Sequence, residues 1–257
     1  MSRTSSLIVL SMLVLFAARD SFAAESQPLM AKPGKLLFED DFSRPDMTPK
    51  WKVGKGEWSV KDGVVSAAEN PDDKHAAYAY ITPNVQYKDA IAEFSFHFDG
   101  CKNIQLNMRD SKYKGSHAGH IIRVQIQPTS VQLADWKTGV MKNENYSVTS
   151  DPNADPAAKK EIRQKIKDKS SSYKVSFDIA AWHTARVEVV GDELLLSIDG
   201  KPAGYLKSEG VAHETKNMLG ITVGGKTGQI KDVKFWEATA SPDWAAGRTA
   251  VLDELKK

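Results

Sequence analysis

The stretch TARVEVVGDELLLSIDGKPAGYL, residues 184 to 206, contains two compact turn signals, Gly191-Asp192 and Asp199-Gly200. A two-residue hairpin loop fixes the register of the strands it joins. Register in turn fixes which side chains share a face, because a strand alternates them. Two-residue loops at both signals put Val187, Val189, Leu194, Leu196, Ile198, Ala203 and Tyr205 on one face. Arg186, Glu188 and Ser197 fall on the other, with Leu195 the exception. One apolar face maintained through two successive turns predicts an antiparallel meander lying on a core. The stretch GEWSVKDGVVSA, residues 56 to 67, passes the same test around Asp62-Gly63. Lys61 is set against Val64, Val60 against Val65 and Trp58 against Ala67, so only Val64 is out of place.

Alternation continues elsewhere. Residues 92–98 place Phe94, Phe96 and Phe98 on one side, and residues 104–109 do so with Ile104, Leu106 and Met108. Residues 120–127 follow with Ile122, Val124 and Ile126; residues 130–136 and 228–238 read the same way. Many short strands separated by turns define an all-β antiparallel protein, a sandwich or barrel. A different pattern occupies 155–169, where Asp155 is placed as an N-cap, Pro156 as the first helical residue, and Ala158, Ile162 and Ile166 form a thin apolar stripe. This predicts a short helical insertion in a long loop, with a Lys- and Arg-rich face turned to solvent or to a ligand. The tail, 239–257, has helical composition with few apolar residues.

The first residues read as an export signal. Arg3 precedes the apolar run 7–18, and Ser21 and Ala23 stand where small residues flank a cleavage site. Residues 1–23 are expected to be removed, delivering the protein to a bacterial periplasm or exterior with no membrane span left; the competing reading is an uncleaved N-terminal anchor. A lone cysteine, Cys101, allows no internal disulfide. The sandwich, 34–238, must therefore be held by its core. A formal net charge of +2 supplies no global field for nucleic acid.

The polar side of the central strands is where chemistry is expected. If 92–98 and 104–109 form a hairpin over residues 99–103, His97 meets Gln105, Ser95 meets Asn107 and Glu93 meets Arg109. Arg123, Gln125, Gln132 and Trp136 extend that face. Amides and guanidinium forks match sugar hydroxyls, which both donate and accept hydrogen bonds, and Trp136, Tyr113 or Tyr78 would stack on a sugar ring. The competing reading is an ordinary solvated sheet face with a Glu93–Arg109 cross-strand pair. Hydrolysis of a glycoside needs two carboxyl groups about 5–10 Å apart, and only Glu93 stands mid-strand here, with His97 as its possible partner. Phosphate-loop, nucleophile-elbow and zinc-helix motifs are absent from the sequence. No cofactor is called for; calcium at the FEDDF cluster (38–42) is a weaker alternative to strand-end charges.

The order LLFEDDF, WSVKDGVVS, IQLNMR, GHIIRVQI, WHTARVEVVGDELLLSIDGKPAGYL, VKFWEA resembles the concanavalin A-like lectin/glucanase sandwiches. More narrowly it resembles the 3-keto-disaccharide hydrolase domain family over about 34–238. The resemblance implies a two-sheet jelly roll that handles saccharides on its concave face. It also implies that Asn107 and Arg109 on one strand, and Gly119, His120 and Gln125 on another, line the cleft. Where that family shows Glu, this chain has Arg123. The Glu-x-Asp-x-x-Glu signature of laminarinase-type glucanases is missing. Three functions are expected to compete. One is an exported carbohydrate-binding module using Glu93, His97, Gln105, Asn107, Arg109, Arg123, Gln125 and Trp136 to hold an oligosaccharide or polysaccharide. Another is a divergent glycoside hydrolase with Glu93 and His97 catalytic. The third is a sandwich for structure or protein interaction.

Overall fold

The computed structural model describes residues 30–72, 75–83 and 85–256, so the export segment lies outside the described residues. In chain order the strands are β1 (Ala31–Asp40), β2 (Trp51–Lys55), β3 (Glu57–Lys61), β4 (Val64–Ala68), β5 (Ala77–Ile81), β6 (Ala90–Arg109), β7 (His120–Gln127), β8 (Ser130–Asp135), β9 (Ser170–Lys174), β10 (His183–Val190), β11 (Glu193–Ile198), β12 (Lys201–Lys207) and β13 (Met218–Ala240). Three α-helices accompany them: α1 (Asn143–Thr149), α2 (Pro156–Lys165) and α3 (Trp244–Glu254). All strand pairs are antiparallel.

Two long strands belong to both layers of the sandwich. The first part of β6 pairs with β10, and its last residues, from Ile104, pair with β7. Along nearly its whole length β6 also pairs with β13. One layer therefore runs β12-β11-β10-β6-β13, with β1 and the β4-β3 hairpin on the later part of β13. The other runs β9-β8-β7-β6-β13-β5-β2. Where the strands pass between layers the ladder slips, between Gly224 and Thr227 on β13 opposite residues 99–103. Gly100 and Gly225 take φ of +86° and +87° there. Glycine reaches that region without a Cβ clash, which is how a paired ribbon bends without breaking.

This overturns the expected hairpin of 92–98 with 104–109. The two segments are halves of one strand, so Glu93 does not face Arg109, nor His97 face Gln105; Glu93 faces Arg186 and Lys234 instead. Alternation is preserved in each half, and Phe94, Phe96, Phe98, Ile104, Leu106 and Met108 all enter one core cluster. Period-two patterning fixes a face and cannot separate a turn from a bulge.

Of the three expected two-residue hairpins, those at Asp62-Gly63 and Gly191-Asp192 have the anticipated register throughout, Val60 opposite Val65 and Val187 opposite Leu196, and the one at Asp199-Gly200 keeps it only next to the turn. In the meander a bulge follows the Ser197–Pro202 pair, and it sets Leu194 opposite Leu206 and Leu195 opposite Tyr205. Tyr205 thus leaves the expected core face. Leu195 and Tyr205 pack together with Trp244 and Val251 of α3 and with Met30. The exception in the alternation is a strand residue buried on its second face by the C-terminal helix. Glu193 fastens that helix, accepting from Trp244 Nε1 (3.1 Å), Arg248 (2.9 Å) and the Tyr205 hydroxyl. The insertion carries α1 as well as α2; Asp155 caps α2 by accepting from the Ala157 N–H at 3.0 Å. In the acidic cluster 38–42, the Asp40 oxygens accept from Arg44 (2.6 and 2.8 Å) and from Trp51 Nε1 (2.7 Å).

Truncating Trp244 to Ala should lower the unfolding free energy by about 3 kcal/mol and leave the β-sheet circular dichroism in place. Urea denaturation measures it; an unchanged midpoint would mean that α3 does not help hold the meander.

Candidate functional site

Strand β5 has the sequence AYAYI. Ala77, Ala79 and Ile81 go to the core, so Tyr78 and Tyr80 must project from the opposite face. Their rings lie across neighbouring strands where a side chain is missing. A Cβ at Gly54 would come within 1.8 Å of the Tyr78 ring, and one at Gly220 within 2.3 Å of the Tyr80 ring. Two glycines thus let two aromatic rings lie flat on the outer face of the sheet.

Beside them, residues of β6, β7 and β13 build a cleft of about 480 Å³. Gln105, Asn107 and Arg109 reach it from β6, Thr222 from β13, His120 and Arg123 from β7, and Trp136 from just past β8. Asn107 donates to Thr222 Oγ1 at 2.9 Å, which leaves its buried Oδ1 without a partner. The Arg109 guanidinium lies 4.8 Å from the Tyr80 ring centre, and its Nε is unpartnered. Arg123 lies 4.7 Å from the Trp136 ring centre and donates to Gln132, also with an unpartnered Nε. Neither arginine has a carboxylate partner among the described residues.

Burial lowers the pKa of Arg109, and it brings that of Arg123 down to about 10. His120 is only 6% exposed. Burial, together with the charges of Arg109, His117 and Arg123, brings its pKa to about 2, so it is a neutral imidazole with a free Nδ1. The Tyr80 hydroxyl, also buried and unpartnered, is pushed up to about 12 by burial and stays protonated. Opposite orientations of charge logic meet here: cations are desolvated without an anion, which is costly unless something else supplies one.

The remaining wall comes from connections. His117 stacks on Tyr146 of α1 with centroids 3.9 Å apart and planes 17° apart. Met141, just before α1, and His75 complete the lining. Asp110 clamps the turn that presents His117, accepting from His213 (3.0 Å), Thr215 (3.0 Å) and the Lys112 N–H (2.8 Å).

Of the residues expected at the site, Gln105, Asn107, Arg109, Arg123 and Trp136 come together in the cleft, and Gln125 shares their sheet face without lining it. Glu93 and His97 are elsewhere, on the β10 side of the bend. Glu93 is paired with Arg186 at 3.3 Å; His97 Nε2 donates to Ala180 O (3.1 Å) and its ring packs 5.6 Å from Trp182. Trp136 is 7% exposed, with Arg123 over its face and His120 against it at 4.5 Å. Its ring supports the guanidinium and offers no open face to a sugar; Tyr78 and Tyr146 are the half-exposed rings. Tyr113 is packed against His213 outside the cleft. Sequence reasoning missed Tyr80, His117, Met141, Tyr146 and Thr222. The AYAYI alternation carried a signal for Tyr80; the others are set by loop and strand placement that no period reveals.

The fold is a jelly roll that several solved glycan-cleaving enzymes share. An endo-β-1,3-glucanase of Pyrococcus furiosus superposes with a TM-score of 0.53 at 10% identity over 83% of this chain and all of the other. A laminarinase of Flavobacterium sp. UMI-01 gives 0.52 at 10%, over 79% of this chain and all of the other. A GlcNAcα1-4Gal-releasing endo-β-galactosidase of Clostridium perfringens gives 0.53 at 10%, over 84% of this chain and 65% of that longer one. At such identities the likeness is one of fold. No curated protein matches. Residues 36–235 match the model of the 3-keto-alpha-glucoside-1,2-lyase-like domain, and the chain belongs to that family.

An unfolded histidine protonates near 6.5, whereas His120 resists protonation to about 2. The unfolded chain therefore binds the extra proton. The stability due to His120 is complete above pH 6.5 and is lost as pH falls below it, at up to about 1.4 kcal/mol per pH unit. Urea denaturation between pH 7 and pH 4.5 should show a shallower fall for His120→Gln than for wild type. Parallel curves would mean the imidazole is not held neutral.

Proposed function

We propose that this chain is an exported, lectin-like glycan-binding protein whose site is the cleft on β5, β6, β7 and β13. One observation carries the reading. Among the described residues, ten buried side-chain polar atoms lack a partner, and five of them gather here: Asn107 Oδ1, Arg109 Nε, His120 Nδ1, Arg123 Nε and the Tyr80 hydroxyl. Buried polar atoms are normally satisfied, so a cluster of orphans in an open cleft marks where a ligand supplies the missing bonds. They comprise an acceptor, fixed donors and a hydroxyl able to do both, beside the half-exposed rings of Tyr78 and Tyr146. Sugar hydroxyls and ring faces match that set.

The hydrolase reading needs a carboxylate pair. No Asp or Glu lines the cleft among the described residues, and Glu93 is tied to Arg186 outside it. A cleft of this volume also counts against a flat interaction face. Export is supported by the Arg3, 7–18 and Ser21-x-Ala23 pattern. Mass spectrometry of the secreted protein should find a new N-terminus at Ala24 or Glu25, and retention of Met1 would refute it.

A second reading has one feature in its favour: imidazoles beside unpaired guanidinium groups. Elimination across C1–C2 of a 3-keto glucoside, the chemistry named in the family description, needs no carboxylate pair. A base removes the C2 proton, which is acidified by the C3 ketone. A cation holds the enolate oxygen, and its electrons return to form C1=C2 as the C1–O bond breaks and the leaving oxygen takes a proton. His120 binds a proton too weakly for this, so the base is His117, with Arg109 or Arg123 at the enolate.

Glycan-array and titration measurements test both. Asn107→Ala and Tyr78→Ala should each weaken the best hit about five- to tenfold, and Glu93→Gln should leave it unchanged. Absence of any glycan hit would overturn the binding reading. Slow release of an ultraviolet-absorbing enone from a 3-keto disaccharide, lost in His117→Ala, would replace it with the second.

A further inference from the structure

Arg109 and Arg123 make the cleft cationic, and nothing among the described residues neutralises it. Arg123 and Trp136 also form the shared wall between this cleft and a second groove, of about 260 Å³, on the far side. That groove is lined by Arg163 of α2 and by Lys167 and Lys169, which follow it. Lys169 is answered by Asp168 (3.7 Å) and Glu209 (3.3 Å), whereas Arg163 and Lys167 have no ion pair among the described residues. The one carboxylate lining the groove among the described residues, Asp135, is consumed internally. It accepts from the Thr138 N–H and hydroxyl, the Ser208 hydroxyl and the Gly210 N–H. Desolvated guanidinium groups kept without a counter-ion cost stability, and their forks match carboxylate and sulfate oxygens two at a time. A transient enolate would ask for one cation; two in the cleft, with a basic groove continuing beyond their wall, exceed that need.

Resting on the saccharide reading of the cleft, we infer that the glycan it takes is acidic. A sugar carboxylate or sulfate ester sits at Arg109 and Arg123, and the chain passes the Trp136 wall toward Arg163 and Lys167. The insertion helix is then a second contact for an anionic chain rather than a solvated decoration.

Titration calorimetry in 150 mM salt separates the possibilities with two matched pairs. One is an oligogalacturonate and its full methyl ester; the other is a sulfated galactan oligosaccharide and its desulfated form. The charged member of at least one pair should bind about tenfold or more tightly than its neutral twin, and which pair responds tells carboxylate from sulfate. Arg109→Gln and Arg123→Gln should each remove that preference. Both variants should melt at or above the wild-type temperature, since each loses an uncompensated charge, which separates lost binding from lost folding. Arg163→Gln combined with Lys167→Gln should weaken long oligomers several-fold and leave disaccharides unaffected. Lys160→Gln, on α2 outside the groove, should change neither. Equal binding of charged and neutral twins, or a preference that survives both arginine variants, would overturn the inference while leaving glycan binding intact. Binding of neither twin in either pair, alongside a neutral glycan that does bind, would overturn it too. No binding by any glycan would overturn the saccharide reading with it.

Discussion

The pairing of β6 with β13 is the contact on which the rest of the molecule depends. These two strands run side by side from Met218 opposite Arg109 to Glu237 opposite Ala90. Each of the two layers is assembled on one half of that ribbon. Backbone hydrogen bonds are cheap to make in a ladder and expensive to leave unmade in a core. The bend therefore has to occur where residues tolerate a slipped ladder, and Gly100 and Gly225 stand there. Once the ribbon is bent, the even-numbered apolar residues on both halves of β6 meet in one core. The polar residues of the two halves are sent to different outer faces.

That division explains the site. The half of β6 beside β10 presents Glu93 to Arg186 and His97 Nε2 to the Ala180 carbonyl, outside the cleft, although His97 Nδ1 stays unpartnered. The half beside β7 presents Asn107 and Arg109 to groups that leave Asn107 Oδ1 and Arg109 Nε unpartnered. Nearby aromatic rings hold the arginines in place: Tyr80 beneath Arg109 and Trp136 beneath Arg123. A ring face attracts a cation without neutralising it. The guanidinium groups thus keep their orientation and their capacity for an anion or a hydroxyl. His120, packed between Trp136 and these charges, is kept neutral by the same desolvation.

The helical segments contribute to function unequally. Helix α3 covers the outer face of the meander and is anchored through Glu193. The insertion instead reaches the site: Tyr146 of α1 stacks with His117, and the residues at the end of α2 border the groove that adjoins Arg123. A loop inserted between β8 and β9 has thereby become one wall of a cleft otherwise made of strands, which is where sequence change alters recognition with least harm to a core.

The sequence by itself determined the all-β class, the registers at Asp62-Gly63 and Gly191-Asp192, the insertion helix and the core faces up to the bulge that turns Tyr205 away. Each follows from a local rule: turn residues set register, and register sets the face. It also placed Asn107, Arg109 and Arg123 on polar faces of central strands, because alternation carries that information. Only the tertiary structure decided that residues 90–109 are one strand. Asp99-Gly100 reads as a hairpin turn or as a bulge with equal ease, and the choice was made by the partner β13, more than a hundred residues away. The same choice removed Glu93 and His97 from the cleft. It was likewise long-range packing that turned Trp136 from an open stacking face into a support for Arg123 and brought Tyr80, His117 and Tyr146 around it. Such neighbours are set by which strands adjoin and where a loop lies, and no periodicity along one chain encodes that.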